Sequence, residues 1–382
     1  MNGQKSYFTG THRVCPPERT WERIAPLLPA FGITRVADIT WLDDIGIPVY
    51  QAIRPNGRYL SVYQGKGLDR ISAKVSGAME AIERWHGEHL DVRPDRVATA
   101  REVSPELGYR LDELTLHPRH CLDPTSRVAL RRARRLSDGA DTFVPLDSLT
   151  IDLRVADRWQ PPVFRGTTNG LASGNTRDEA TLHALYEVIE RDTLARLGTD
   201  PWSVVDPETV HGHGRDLLDR YRAAGVKVVI GALPSPLGVP AFSATVWNES
   251  FPSPRNGFGC HLDRDVALCR ALTEAAQVRV SYIAGSRDDL QEHEYRDIRR
   301  AMAGPGGPTV VEPAAGPGEH MALVDFEKVE SRAVVDLRQE IDELCARVLD
   351  ATGRSPLVVD HTRADLGIPV VHVLCPGLTF PL

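Results

Sequence analysis

Apolar positions recur in this chain at two periods, and the places where the period changes mark its elements. Val334, Val335, Leu337, Ile341, Leu344, Cys345, Val348 and Leu349 fall near helical spacing, with Gly353 placed to end the helix in a left-handed cap. Apolar runs at 357–360 and 368–374 read as two buried strands. Earlier, residues 21–28 form an amphipathic segment, 34–39 and 47–53 are rich in β-formers, and Pro55, Asn56 and Gly57 read as a turn. Residues 303–318 hold too much Pro and Gly for a helix or central strand and read as a loop. The basic run Arg131, Arg132, Arg134 and Arg135 reads as a solvated helix face.

The most informative pattern is one helix written three times. Asp69, Thr176 and Asp263 are each good N-cap residues, and the segments behind them align without gaps. Small residues follow at two shared offsets, Ala73, Ala180 and Ala267, then Gly77, Ala184 and Ala271, so each helix has a face that packs closely. Glutamate then occupies one offset in all three copies (Glu80, Glu187, Glu274), and Glu83, Glu190 and Gln277 stand three residues further on. Residues three apart are neighbours on a helix, so every copy presents two oxygen-bearing side chains from one patch. Like charges so placed repel by a few tenths of a kcal/mol, and solvation explains one such pair. Three pairs at one offset point instead to a hard divalent cation, because magnesium in nucleotide sites takes carboxylate and phosphate oxygens.

Two loops lead into these helices, Gln64, Gly65, Lys66 and Gly67 before the first and residues 167–175 before the second, including Asn169 and Asn175. Glycines let backbone approach phosphate, and lysine adds positive charge. Arg84, Arg191 and Arg279 follow the three pairs, placed either to neutralise phosphate or to bridge a neighbouring Glu. The pattern G-x-x-x-x-G-K-[ST] occurs nowhere, so an ATP site here is not of the P-loop kind.

Composition narrows the classes. Of 382 residues, 42% are hydrophobic and 25% charged, as in ordinary folded proteins. A formal net charge of −7 offers no global basic surface for nucleic acid. No apolar run is long enough to span a bilayer, and the start lacks a basic segment leading into an apolar one, so a cytoplasmic protein is expected. Six scattered cysteines without C-x-x-C read as buried thiols. His117, His120, His211 and His213 fall in expected loops without a Glu-x-x-His pattern, which disfavours a carboxylate-bridged metallohydrolase.

Taken together, Lys66 in its Q-G-K-G run, Ser76 with Glu80 and Glu83, the 169–175 loop, Glu187 with Glu190 and Arg191, and Glu274 with Gln277 and Arg279 resemble the YcaO signature. The resemblance runs from about Ser61 to the C-terminus, and the leading segment, from Gly10 to Arg13 and on through Arg54 to Asn56, is similar to the YcaO subgroup that works beside TfuA-like proteins. It implies a mixed α/β fold with helices around β-sheet. It divides the chain into an N-terminal lobe, 1–58, and an ATP-binding catalytic domain, 59–382.

The family activity it implies is activation of a peptide backbone amide: a nucleophile adds to the amide carbon, ATP phosphorylates the former carbonyl oxygen, and phosphate departs. A neighbouring Cys, Ser or Thr as nucleophile gives an azoline, and external sulfide gives a thioamide. By resemblance Glu80, Glu83, Glu187 and Glu190 bind Mg2+ and are catalytic, with Glu274 and Gln277 completing the nucleotide pocket. Lys66, Ser76, Asn169, Asn175, Arg191 and Arg279 contact ATP or its phosphates on the same reading. The chain ends LCPGLTFPL where many azoline-forming members have P-x-P-x-P, which favours the thioamide. Only about 60 residues precede the resembling region, so a second, TfuA-like protein is expected beside a precursor peptide or protein substrate. Neither nucleic acid nor membrane is expected as a partner, and a homodimer is compatible with the reading. The competing reading is a scaffold subunit that binds ATP without turnover.

Overall fold

The computed structural model describes residues 3–152, 162–197, 202–303 and 322–380. After α1 (Pro17–Ile24), strands β1 (Arg35–Asp38), β2 (Val49–Ile53) and β3 (Val62–Lys66) form an antiparallel sheet in chain order, and β3 leads into α2 (Arg70–Glu88). There follow β4 (Arg96–Thr99), α3 (Ala100–Leu107), β5 (Arg127–Arg135), β6 (Asp141–Pro145) and β7 (Leu171–Ser173), which leads into α4 (Arg177–Ala195). Then come β8 (Ser203–Val205), α5 (Gly212–Ala223), β9 (Lys227–Leu233), β10 (Ala241–Asn248) and β11 (Phe251–Cys260), which leads into α6 (Arg264–Ala284). The remaining elements are α7 (Glu292–Ala303), β12 (Leu323–Val324), α8 (Leu337–Thr352), β13 (Leu357–Asp360) and β14 (Val370–Leu374). A second sheet runs β4-β5-β13-β14-β7, with β6 also on β5, and a third runs β11-β10-β9-β8-β12. The fold is mixed α/β, as expected.

Each acidic helix is thus entered from the end strand of a different sheet. The caps hold as the sequence suggested: Asp69, Thr176 and Asp263 accept from the backbone N–H groups of Ser72, Glu179 and Asp265. The small-residue stripe has a specific cause, because the entering strand lies directly on it. A Cβ on Gly65 would stand 1.9 Å from the Gly77 nitrogen and 2.2 Å from the Ala73 oxygen. On Gly257 it would stand 2.1 Å from the Ala275 nitrogen and 2.3 Å from the Ala271 oxygen, and on Gly174 it would stand 2.6 Å from the Ala180 nitrogen. Backbone cannot yield as a side-chain tip can. Gly257→Ala is therefore expected to destabilise the fold by roughly 3 kcal/mol, read as a fall in urea midpoint with unchanged m.

Several expectations need adjustment. The basic run at 131–135 is part of strand β5, not a helix face: Val128, Leu130 and Ala133 go inward, and pairing with β4, β6 and β13 overrides the helix propensity of arginine. Its arginines meet nearby acids, Arg131 with Asp95 and Arg135 with Asp138. Gln64 to Lys66 end β3 instead of forming a loop, and His213 lies on α5. Ala303 ends α7, while 304–318 of the expected loop lies outside the described residues. The C-terminal helix and both following strands are present, with Gly353 left-handed at φ 69°. The described part of the expected lobe, residues 3–58, is tied in closely: β2 pairs with β3, and Ile24 and Phe31 share a core with Ile82 and Ile368. Five of the six cysteines are buried, Cys121 being exposed, and none is paired with another. Among the described residues no helix is long and apolar enough to cross a membrane.

Candidate functional site: three acidic helices around one charged patch

The strand-to-helix entries bring Glu80 and Glu83, Glu187 and Glu190, and Glu274 within reach of one another's charge. Glu83 is buried, and its Oε2 accepts the backbone N–H of Ser173 from β7 at 3.0 Å, which fastens α2 to the entry of α4. Arg84 lies across the pair, with Nη1 3.4 Å from Glu83 Oε1 and Nη2 4.0 Å from Glu80 Oε1. Glu80 accepts the Gln64 N–H at 3.3 Å. Glu187 on α4 is near enough to Glu80, Glu83 and Arg84 to feel and be felt by their charges. On the same helix Glu190 is repelled by Glu274 of α6 and drawn to Lys66, and Lys66 Nζ is ion-paired with Glu274 Oε2. Charge therefore runs unbroken from α2 through α4 to α6.

Burial leaves these acids poorly solvated. It pushes the Glu83 carboxyl from its usual 4.5 up to about 8, repulsion by Glu187 and Glu80 adding to the rise while Arg84 and the Ser173 N–H oppose it. Glu187 and Glu190 are raised for the same first reason, and Glu274 pushes Glu190 further. Solvent reaches the patch at Glu80, Glu274 and Lys66, whose side chains keep between a fifth and a third of their exposure.

The other expected residues divide. Ser76 is half-buried one turn before Glu80, and Gln277 is half-buried three residues past Glu274. Arg191 faces the attraction of Glu187 and Glu190, and its buried Nε–H has no partner among the described residues. Asn169 lies in the turn before β7 with a buried, unpartnered Oδ1. Asn175 has both amide atoms engaged, Oδ1 accepting from Thr20 Oγ1 at 2.9 Å and Nδ2 donating to Glu179 at 2.9 Å. Arg279 is buried with Nε 2.9 Å from Asp43 and Nη2 3.1 Å from Asn248, so its fork serves the fold around β11. Asp43 was not foreseen as its partner.

Arg270 was missed. It acts electrostatically on both Glu187 and Glu190, and its Nε–H is buried without a partner among the described residues. A signal for it lies in the repeat: Ser76, His183 and Arg270 share the offset one turn before each first glutamate. Arg287, held near Gln64 and feeling the charge of Glu80, gave no such signal.

Among the described residues, no group of three His, Cys, Asp or Glu side chains forms a ready-made metal cage. Magnesium in nucleotide sites needs none, since it keeps waters and is held by one or two carboxylates together with phosphate oxygens. Buried carboxylates short of positive charge, beside guanidinium N–H groups short of acceptors, are complementary to a Mg2+-triphosphate. The residues present fit that group.

The family follows from direct comparison. The chain belongs to the YcaO family: the family model described as "YcaO cyclodehydratase, ATP-ad Mg2+-binding" matches residues 64–379. The cofactors of this family are ATP and Mg2+. An uncharacterized protein of Mycobacterium tuberculosis is 37% identical over 97% of this chain and 83% of its own. An uncharacterized protein encoded in the tfuA 3′ region of Rhizobium leguminosarum bv. trifolii is 34% identical over 96% of this chain and 88% of its own. The fold matches YcaO from Methanopyrus kandleri bound with AMPPCP and Mg2+, with a TM-score of 0.74 and 23% identity over 98% of this chain and 95% of that one. It also matches a heterocyclase in complex with substrate and cofactor, with a TM-score of 0.80 and 23% identity over the whole of this chain, which spans 54% of that protein's length.

Proposed function

We propose that this protein uses Mg-ATP to activate a backbone amide of a peptide or protein and converts it to a thioamide with an external sulfur donor and a TfuA-like partner. The observation that carries the ATP-dependent step is the continuous run of charge from Glu80 and Glu83 through Glu187 and Glu190 to Glu274. Glu80, Glu83, Glu187 and Glu190 would hold magnesium, with Lys66, Arg191 and Arg270 against the phosphates and Ser76, Asn169 and Gln277 in contact range of the nucleotide. When bound, the nucleotide supplies a phosphoryl group that turns the amide oxygen into a leaving group. The chain's own part would be placement and charge neutralisation: the arginines would neutralise phosphate, the buried carboxylates would hold the cation, and the β3, β7 and β11 entries position the helices that carry them.

The partner reading rests on the 34% identical relative whose gene lies in the tfuA 3′ region. Likeness to a heterocyclase favours the second reading, an azoline-forming cyclodehydratase. Mass spectrometry of the product separates them. Exchange of amide oxygen for sulfur is expected to add about 16 mass units, whereas ring closure removes about 18. Loss of water with no requirement for sulfide would overturn the thioamide and leave amide activation standing.

A further inference from the structure

The loop that leaves α6 is moored to the first sheet almost residue by residue. Gly285 ends the helix left-handed at φ 61°, and Ser286 Oγ then accepts from Gln51 Nε2 at 2.6 Å. Asp288 takes the Ser61 backbone N–H at 2.9 Å and the Ser61 hydroxyl at 2.7 Å. Asp289 closes on Arg287, accepting Nε–H at 2.8 Å and Nη2–H at 2.5 Å. Holding loop backbone in one conformation costs about 1–2 kcal/mol per residue, so anchors this dense fix what the loop carries. Between them stands the guanidinium of Arg287.

That guanidinium is aimed and only partly used. Its Nη1 makes one long contact, 3.5 Å to Gln64 Oε1, an oxygen that already accepts the Ser281 hydroxyl at 2.5 Å. The Gln64 backbone N–H donates in turn to Glu80, and Arg287 feels the charge of Glu80. The two ends of the charged run differ. Glu274 is ion-paired with Lys66, whereas Glu80, its side chain 33% exposed, has Arg84 only at 4.0 Å. The Glu80 end is thus open to solvent and short of a close cation. The Arg287 side chain is itself 26% exposed, so an anion reaches it from solvent.

We infer that Arg287 binds the terminal phosphoryl group of the nucleotide at the Glu80 end of the site, donating from Nη1 while Asp289 holds the opposite edge of the guanidinium. The inference rests on the amide-activation reading, and it is the same whether sulfide or a Cys, Ser or Thr side chain is the nucleophile. The terminal group belongs at the open end because a peptide amide must reach it from solvent. Arg287 stays protonated throughout and donates to a nonbridging phosphoryl oxygen, so no proton joins or leaves the chain. In the transfer it assists, the bond from phosphorus to ADP breaks and a bond from phosphorus to the amide oxygen forms. A guanidinium suits that place, because a charge-assisted hydrogen bond to phosphate is about twice as strong as a neutral one.

Calorimetry on the full chain with Mg-AMPPCP and with Mg-ADP tests this without a peptide. Arg287→Gln is expected to weaken Mg-AMPPCP about tenfold, or about 1.4 kcal/mol, and to leave Mg-ADP unmoved. The ligand-free melting temperature should hold, since the Asp289 side chain left behind is 41% exposed and an exposed ion pair contributes little. Arg287→Lys, which keeps the charge and loses the fork, is expected to recover part of the AMPPCP affinity. Equal weakening of both nucleotides, or AMPPCP affinity unchanged in Arg287→Gln, overturns the contact. If that variant does not fold, crystals of the parent protein with Mg-AMPPCP decide, and Nη1 beyond hydrogen-bond distance of every terminal phosphonate oxygen overturns it. A parent protein that binds Mg-AMPPCP but releases no phosphate on peptide addition overturns the amide-activation reading instead.

Discussion

Replacing Glu190 by Gln is expected to lower peptide-dependent phosphate release by about 10²–10³-fold while the ligand-free protein melts no lower than the parent. The two halves have one cause. Glu190 is 7% exposed and raised by burial and by Glu274, so ionising it opposes folding when no cation is bound. An uncharged amide of the same shape relieves that cost, yet cannot supply the anionic oxygen that a magnesium ion needs. Glu80→Gln is expected to lose turnover similarly, with a smaller gain in melting temperature because Glu80 is a third exposed. Calorimetry with ATP, with and without Mg2+, checks the assignment. Undiminished ATP binding in EDTA, or a Glu190→Gln variant that turns over at the parental rate, would falsify the magnesium role.

The second large effect is a pH dependence. Glu83 titrates at about 8 in the folded chain against 4.5 as its ordinary value, the folded value being the higher. Its proton is therefore held more tightly in the native state. The stability it contributes is fully present below about 4.5 and is lost as pH rises to about 8. A bound cation reverses the preference, since it needs the carboxylate. Mg-ATP binding is accordingly expected to release close to one proton at pH 7 and to tighten as pH rises toward 8, by up to about tenfold per pH unit. Titrations in buffers of different ionisation enthalpy measure that proton. In Glu83→Gln the release is smaller and the melting temperature without ligand falls less steeply between pH 5 and 8, Glu187 and Glu190 still being raised by burial. A binding constant flat across this range in the parent protein would count against a buried, protonated Glu83.

Much of this was legible in the chain before any coordinates. The caps at Asp69, Thr176 and Asp263, the stripes behind them and the glutamates beyond are periodic, and periodicity survives into structure because a helix repeats its own geometry. The closing helix and strands were readable for the same reason. What failed was non-local. Nothing in Arg131 to Arg135 reveals three neighbouring strands to pair with, so the run reads by its helix propensity. Arg279 follows its glutamate much as Arg84 and Arg191 follow theirs, yet Asp43, more than two hundred residues earlier, takes it. Arg270 was hidden because the repeat changes residue type at that offset, Ser76, His183 and Arg270, and a pattern sought by identity passes over it.

The pairing of β7 bears on how the chain is made. Among the described residues β7 has only one strand neighbour, β14, with Leu171, Ala172 and Ser173 opposite His372, Val371 and Val370. The entry to α4 is fastened by the same late segment, Gly174 N–H bonding the Pro369 carbonyl and Val373 N–H the Gly170 carbonyl. At about 5–20 residues per second, ribosomes would take roughly 10–40 s to travel from the one strand to the other. Throughout that interval Glu187 and Glu190 sit on a helix whose lead-in strand has nothing to pair with, and Ser173 is free to slip from Glu83. A nascent chain halted before Val370 should thus carry all six side chains of the repeat and still retain no nucleotide, so that ATP capture by ribosome-bound chains would report completion of the last strand.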